Sequence, residues 1–171
     1  MTCLSFRVHG GMLATVFVLG SLPASALPNH HDFSKEQFAP ISGTCASGAS
    51  AYSISTDQQT TSSKSYKDVT GTTITFTQGT GGCVEVSFSA EAATAPGELL
   101  LTQVLLDGRQ CAPGDNIFAS DSPSSDLSDH AMNYICGKAT AGSHTAKVQF
   151  RSRFGHKVAL DYRTTIVRYT P

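Results

Sequence analysis

Tryptophan is absent from these 171 residues, and charge is scarce: Asp, Glu, Lys and Arg together make up 15%. That is well under the quarter usual in soluble domains. Twelve basic residues against 13 acidic ones leave a net charge of −1. The positive excess that releases counterions from nucleic acid is therefore missing, which excludes a nucleic-acid binder driven by bulk charge. A coiled coil needs far more Ala, Glu, Lys, Leu and Arg, and only four Glu are present. With 40% hydrophobic residues the chain can build a core, so it is no acidic disordered tail. The Gly-x-Ser-x-Gly elbow of a serine hydrolase is missing. What is plentiful is Ser and Thr, 21 and 19 residues, beside 15 Gly. That composition predicts one Ser/Thr-rich, all-β domain.

The first 26 residues have the order of a secretory signal peptide. Arg7 and His9 precede an apolar run of nine, Met12 to Gly20, and Ala24-Ser25-Ala26 supplies the small-residue cleavage pattern. The run is too short to cross a bilayer, which takes about 20 apolar residues. No later stretch is longer, so no membrane span is expected once the signal is removed. The expected product is secreted or periplasmic, with a bacterial style of signal, an N-terminal arm over 27–58 and a β-sandwich domain over 59–171.

Export gives the cysteines a meaning. Cys3 leaves with the signal, and Cys45, Cys83, Cys111 and Cys136 remain. An even number in an exported chain predicts two disulfides. No Cys-x-x-Cys is present, so a zinc site is disfavoured. Of three pairings, Cys111–Cys136 with Cys45–Cys83 is preferred: one closes a loop around an Asp-rich segment, the other staples the arm to the first long strand.

Within the arm, Phe33 to Phe38 has the shape of a capping box and hydrophobic staple, stopped by Pro40. Ser42 to Ser55 reads as loop or edge strand. From Thr60 the chain becomes short strands divided by turn residues. Ile74 and Phe76 share a face. Cys83–Ala90 alternates, with Val84, Val86, Phe88 and Ala90 inward. Leu99–Leu106 is nearly all apolar, as where both faces are covered, and Asp107-Gly108 ends it as a turn. A short strand is expected at Ile117–Ala119 and another over His130–Cys136. His144–Arg153 places Ala146, Val148 and Phe150 inward, and Lys147, Arg151 and Arg153 on one outward face. About eight strands in two antiparallel sheets follow, which is the jelly-roll number. An immunoglobulin-like sandwich is the runner-up, but it wants an inner Trp.

The runs CVEVSFSAEA, LLLTQVLLDG and AGSHTAKVQFRSRFG, with RTTIVRY after them, resemble those of a set of bacterial exported proteins of unknown function. Their spacing is similar to jelly rolls of the tumour-necrosis-factor and complement globular-head type. The resemblance covers roughly Thr60 to Tyr169. It implies a jelly roll and a homotrimer, because such folds often pack three-fold. No functional residue carries over.

Charge is divided along the chain. Residues 138–171 carry seven bases and one acid, and residues 27–137 four bases and twelve acids. The row Lys147, Arg151, Arg153 is the binding candidate, for an anionic polysaccharide or for the acidic half of a neighbouring subunit. Its plainer reading is a solvated, charge-protected face. Asp115, Asp121, Asp126 and Asp129 crowd one loop and could offer oxygens to calcium, although their spacing fits ordinary turn formers better. His30-His31-Asp32 misses amino-terminal copper geometry by one residue. His130, His144 and His156 lie at strand edges or turns, and the His144 ring can bond a neighbouring carbonyl. No cofactor and no catalytic residue are assigned. The leading expectation is a non-catalytic binding or assembly module at the cell surface, with a glycan as the first ligand class. Tyr52, Tyr66, Tyr134, Tyr162 and Tyr169 would stand in for the missing Trp. A small hydrolase with a loop-borne His/Asp site, or a structural subunit, are the alternatives.

Overall fold

The structure is a computed structural model and describes residues 47–120 and 126–171. The signal segment, most of the arm with its staple, His30-His31-Asp32, Cys45 and Asp121 lie outside the described residues.

Among the described residues the chain is all-β, with eleven strands: β1 Ala49–Ser55, β2 Gln59–Thr61, β3 Lys67–Asp68, β4 Ile74–Gln78, β5 Gly82–Thr94, β6 Leu99–Leu106, β7 Arg109–Gln110, β8 Asn116–Ser120, β9 Ser128–Ala139, β10 Gly142–Ser152 and β11 Val158–Tyr169. The expected number was about eight. Three of the eleven, β2, β3 and β7, are two or three residues long, too short to leave a periodic trace, while Val158–Leu160 and Arg163–Tyr169, which read as two strands, are one.

The strands form two antiparallel sheets. The first runs β1-β11-β5-β9, with β2 also on β11; the second runs β3-β10-β6-β7, with β4 on β10 and β8 on β6. The sheet thus begins at Ala49, inside the segment read as an arm. Alternation decides which side chains meet between the layers. Val84, Val86, Phe88 and Ala90 of β5 face Val104 and Leu106 of β6 and Ala146, Val148 and Phe150 of β10 across one buried core. Burying a side chain such as Phe88 or Phe150 stabilises by roughly 1.5–3 kcal/mol. The rings of Phe88 and Phe118 lie 5.1 Å apart, an aromatic contact that also ties β8 to the facing sheet. The apolar start of β6 is covered on both sides: Leu99, Leu100 and Leu101 are all buried.

One irregularity shapes the first sheet. Between Asp161 and Thr164 the register of β11 against β5 shifts by one residue, and Tyr162 has φ +40°. Such a bulge re-aims side chains: Tyr162 emerges into solvent while Arg163 points inward and is 2% exposed.

Candidate functional site

The outward charged side chains of β10 are paired with carboxylates of neighbouring segments. Lys147 and Arg151 do stand outward on β10, between buried Ala146, Val148, Phe150 and Ser152. Lys147 Nζ lies 2.9 Å from Asp68 Oδ2, and Gln149 donates to Asp68 Oδ1 at 2.6 Å. These two partners hold the Asp68 carboxyl below its ordinary value. Arg151 lies 2.7 Å from Asp115 Oδ2 and over the ring of Tyr66, 5.2 Å from its centroid. The Tyr66 hydroxyl donates to the other Asp115 oxygen. Burial first, and then this bond to Asp115, raises the Tyr66 pKa. Arg153 departs from the expected row. It lies one residue past the end of β10, with its N–H donated to Glu98 Oε1 at 2.9 Å and Leu99 O at 3.0 Å. The attraction between acidic and basic halves therefore operates inside the chain: Lys147–Asp68, Arg151–Asp115, Arg168–Glu85 and His144–Asp107 each join the basic end to the acidic part.

His144 is buried, and both ring nitrogens face acceptors. Nδ1 is 2.6 Å from Asp107 Oδ2, and Nε2 is 2.9 Å from the Thr140 carbonyl oxygen, the kind of bond expected of it. Two acceptors favour a proton on each nitrogen, the imidazolium form. Its pKa is raised, chiefly by Asp107 and then by Thr140, and that of Asp107 is lowered, chiefly by His144. A catalytic base would need Nε2 free to accept a proton. His130 Nε2 lies 2.9 Å from Ser128 Oγ and its ring 5.6 Å from Phe118.

Glu98 is a functional-looking residue that sequence reasoning missed. It is 0% exposed, and its carboxylate accepts five hydrogen bonds: from the N–H groups of Leu99, Arg153, Phe154 and His156 and from the Ser152 hydroxyl, at 2.7–2.9 Å. Burial pushes its pKa up, but the donors of Phe154, His156, Leu99 and Ser152 outweigh it and leave the group below the usual carboxylate range. The arrangement holds the loop after β10 against the turn before β6. It has no room for a ligand, and its role is structural.

Arg163 is buried without a carboxylate. It donates to Ser55 Oγ at 2.8 Å and Gln59 Oε1 at 3.3 Å, and its Nε has no partner. Burial lowers its pKa. Three of the five tyrosines are withdrawn from any stacking role. Tyr134 is buried with its hydroxyl 2.6 Å from that of Thr102, and burial pushes its pKa up to about 12. Tyr66 lies beneath Arg151, and Tyr169 packs on Phe76 at 4.7 Å. Tyr52 and Tyr162 remain exposed. Cys111 and Cys136 form the expected disulfide. Cys83 is also disulfide-bonded; Cys45, its expected partner, lies outside the described residues. Asp115 is committed to Arg151 and Tyr66, and among the described residues no group of three His, Cys, Asp or Glu side chains is placed to hold a metal.

The outer face of the first sheet differs. Cross-strand neighbours there form rows across four strands: Tyr52, Ile166, Ser87, Asn133, and then Ile54, Thr164, Ser89, Ala131. The side chains are small or uncharged, apart from Arg168 and Glu85, 3.4 Å apart. Farther along, Asp161, Glu91 and Asp129 stand in one row. Beyond them Ala159 and Ala93 face each other with no bulk. Here a cavity of about 440 Å³ opens, lined by Gln58, Ala93, Thr94, Asp126, Leu127, Lys157 and Ala159, among others. The side chains of Gln58, Asp126 and Lys157 have no partner among the described residues. Thr94 Oγ1 is buried and unbonded. The trough offers donors, acceptors and an apolar floor.

No family model matches the chain, and no curated protein matches it. Among solved structures it is similar to dimeric latent PorU from Porphyromonas gingivalis, at 9% identity and a TM-score of 0.40, covering 77% of this chain and 14% of that one. It is also similar to the catalytic domain of a GH87 alpha-1,3-glucanase in complex with nigerose, at 12% identity and a TM-score of 0.27, covering 75% of this chain and 29% of that one. The chain thus spans less than a third of either.

Proposed function

We propose that this chain is an exported, non-catalytic β-sandwich that binds a neutral glycan in the trough at the end of the first sheet. The observation that carries the reading is the contrast between the two sheets. On the second, His144, Lys147, Arg151 and Glu98 are each bonded to a neighbouring strand or loop. In the trough, an amide, a carboxylate and an ammonium have no partner among the described residues and surround a floor of alanine. A pyranose needs just that mixture, because its hydroxyls both donate and accept while its C–H face is apolar. Asp126 and Lys157 cancel in charge, and the neighbouring row Asp161, Glu91, Asp129 repels an anion. A neutral sugar therefore fits this end of the sheet better than the anionic polysaccharide expected of the basic row. Lys147 and Arg151 support that preference, since each already has a carboxylate.

Export is supported by the amino-terminal pattern and by the disulfides, which belong to oxidising compartments. A jelly roll of the tumour-necrosis-factor and complement type is supported by the path of the chain, which changes sheet from β2 to β3, β4 to β5, β5 to β6, β8 to β9, β9 to β10 and β10 to β11. The non-catalytic reading is supported by the occupied Nε2 of His144.

Saturation-transfer NMR with methyl hexopyranosides tests the proposal, with glycine as a zwitterionic control. A ring of about a dozen heavy atoms at roughly 0.3 kcal/mol each corresponds to a Kd on the order of 1 mM. Saturable transfer from at least one glycoside, abolished when Ala93→Phe fills the trough, is the expected result. Absence of transfer across the panel, or transfer that survives Ala93→Phe, overturns it, as does preference for glycine.

A further inference from the structure

The sandwich protects its sheet edges unevenly. An edge strand exposes a row of unpaired backbone N–H and C=O groups, and proteins blunt it with charge, proline, bulges, short length or cover. On the second sheet, β3 and β7 are two residues long and carry Lys67, Asp68 and Arg109, while β4 and β8 bury their large side chains Ile74, Phe76 and Phe118. On the first sheet, β9 carries Asp129, His130 and Lys138. It is also bridged by Ala112, whose N–H and C=O both bond Ile135. β1 has neither charge, proline, bulge nor, among the described residues, a second paired neighbour, although the Gly71 turn touches its inward residues Ser53 and Ser55. Its seven residues, Ala-Ser-Ala-Tyr-Ser-Ile-Ser, contain no charge and no proline, and they pair with β11 in unbroken register. Among the described residues no strand pairs with its other side. Its outward side chains include Tyr52, 72% exposed, and Ile54, 64% exposed.

We infer that β1 is a self-association edge, pairing antiparallel with β1 of a second copy about a two-fold axis at Ser53. An unpaired ladder is complementary to another extended backbone, and the side chains specify which one. With the axis at Ser53, Tyr52 of each copy stands opposite Ile54 of the other, an aromatic–β-branched pair of the kind that stabilises cross-strand contacts. The neighbouring strands extend it. Ile166 is opposite Tyr52 and Thr164 is opposite Ile54 within one chain. The seam therefore carries two symmetry-related rows, each reading Ile166, Tyr52, Ile54, Thr164 from one copy to the next. The inward positions at the seam, Ala51, Ser53 and Ser55, are small. None of the seven β1 residues carries a charge into the seam; the buried Arg163 behind it is already bonded to Ser55 Oγ. The interface is isologous and closes at two chains, joining two sandwiches through one continuous sheet and leaving both troughs open.

Sedimentation equilibrium of the purified protein at tens of micromolar reads the assembly directly. Twice the chain mass is expected. Ile54→Lys places a charge in the seam at a position open to solvent in the single chain, so it raises the dimer dissociation constant at least about thirtyfold, the scale of a central interface residue, with the unfolding midpoint of the single chain unchanged. Cross-linking checks the register: Tyr52→Cys and Ile54→Cys chains each stay unlinked alone and form a disulfide-linked pair when mixed under mild oxidation. A single-chain mass for the native protein, a three-chain mass, an unchanged dimer in Ile54→Lys, or linkage in either cysteine variant alone overturns the inference.

Discussion

Glu98 offers the sharpest test of how the sandwich is held together. Replacing it with Ala deletes the acceptor of four backbone N–H groups and one hydroxyl. An orphaned buried donor costs about 1–3 kcal/mol. Some of these donors regain water, because Phe154 and His156 lie in an exposed loop, so the sum falls short of five full penalties. A loss of about 3–5 kcal/mol is expected, the range for removing one side of a buried charged contact. Glu98→Gln separates charge and bonding from packing. Its carbonyl can take the Oε1 position and keep Leu99, Arg153 and Phe154, and the Ser152 hydroxyl can turn to accept from the new amide. The His156 N–H then faces another donor, so the cost is about 1.5–3 kcal/mol. Urea unfolding measures both: with a slope near 1.5 kcal/mol/M, the Ala variant loses about 2–3 M of midpoint and the Gln variant about 1–2 M, with unchanged slopes. The pH dependence carries a sign. A carboxylate held below its unfolded value stabilises above that value, about pH 4.3, and the contribution is lost as pH falls through the lower folded value. The native protein should therefore lose stability in that acid window more steeply than Glu98→Gln. A loss under 1 kcal/mol for Ala, or equal losses for Ala and Gln, refutes the reasoning.

Three further outcomes are expected. The His144 pKa is raised, so its pairing with Asp107 stabilises fully below the ordinary histidine value of about 6.5 and fades as pH rises through the higher folded value. Histidine NMR should show that upward shift, and Asp107→Asn should reverse it; a His144 that titrates below the ordinary value contradicts the imidazolium assignment. Replacing Cys111 and Cys136 together by Ser opens a bridge with a sequence separation of 25, and loop entropy sets the loss at about 3.5 kcal/mol, read by the same urea titration; a loss below 1 kcal/mol would contradict it. Arg163 is a buried cation with no carboxylate bonded to it, so Arg163→Met should cost less than about 1 kcal/mol, or stabilise, as apolar replacements of buried charges often do; a loss above 3 kcal/mol shows that Ser55 and Gln59 hold the charge better than their neutral chemistry implies.

Where one face of a strand is buried along its whole length, the sequence announces it. Val84, Val86 and Phe88 and, separately, Ala146, Val148 and Phe150 repeat every second residue, and β5 and β10 lie where that repeat runs. The fragments β2, β3 and β7 left no trace because a strand of two or three residues completes hardly one alternation, and the bulge at Tyr162 makes one strand, β11, of what reads as two, Val158–Leu160 and Arg163–Tyr169. The charge division was also legible, but its address was not. A count along the chain shows that the basic end must find acids, and only the register of β10 against β3 and β6 decides that Lys147 meets Asp68 inside the molecule and not a ligand outside it. Glu98 was hidden because its partners are backbone N–H groups, which every residue has. The trough was hidden for a related reason: Gln58, Ala93, Asp126 and Lys157 come from four separate segments, and each alone reads as turn or filler. Arg163 could have been found. Counting back in twos from Val167 through Thr165 places it on the buried side, and that is where it lies. The bulge at Tyr162 then resets the alternation, so β11 carries Leu160 and Arg163 inward although they are three residues apart. A one-residue slip is the smallest change a strand can make, and it reverses the facing of every side chain beyond it. Periodicity alone is therefore blind where this sheet puts Tyr162 into solvent beside the β1 edge.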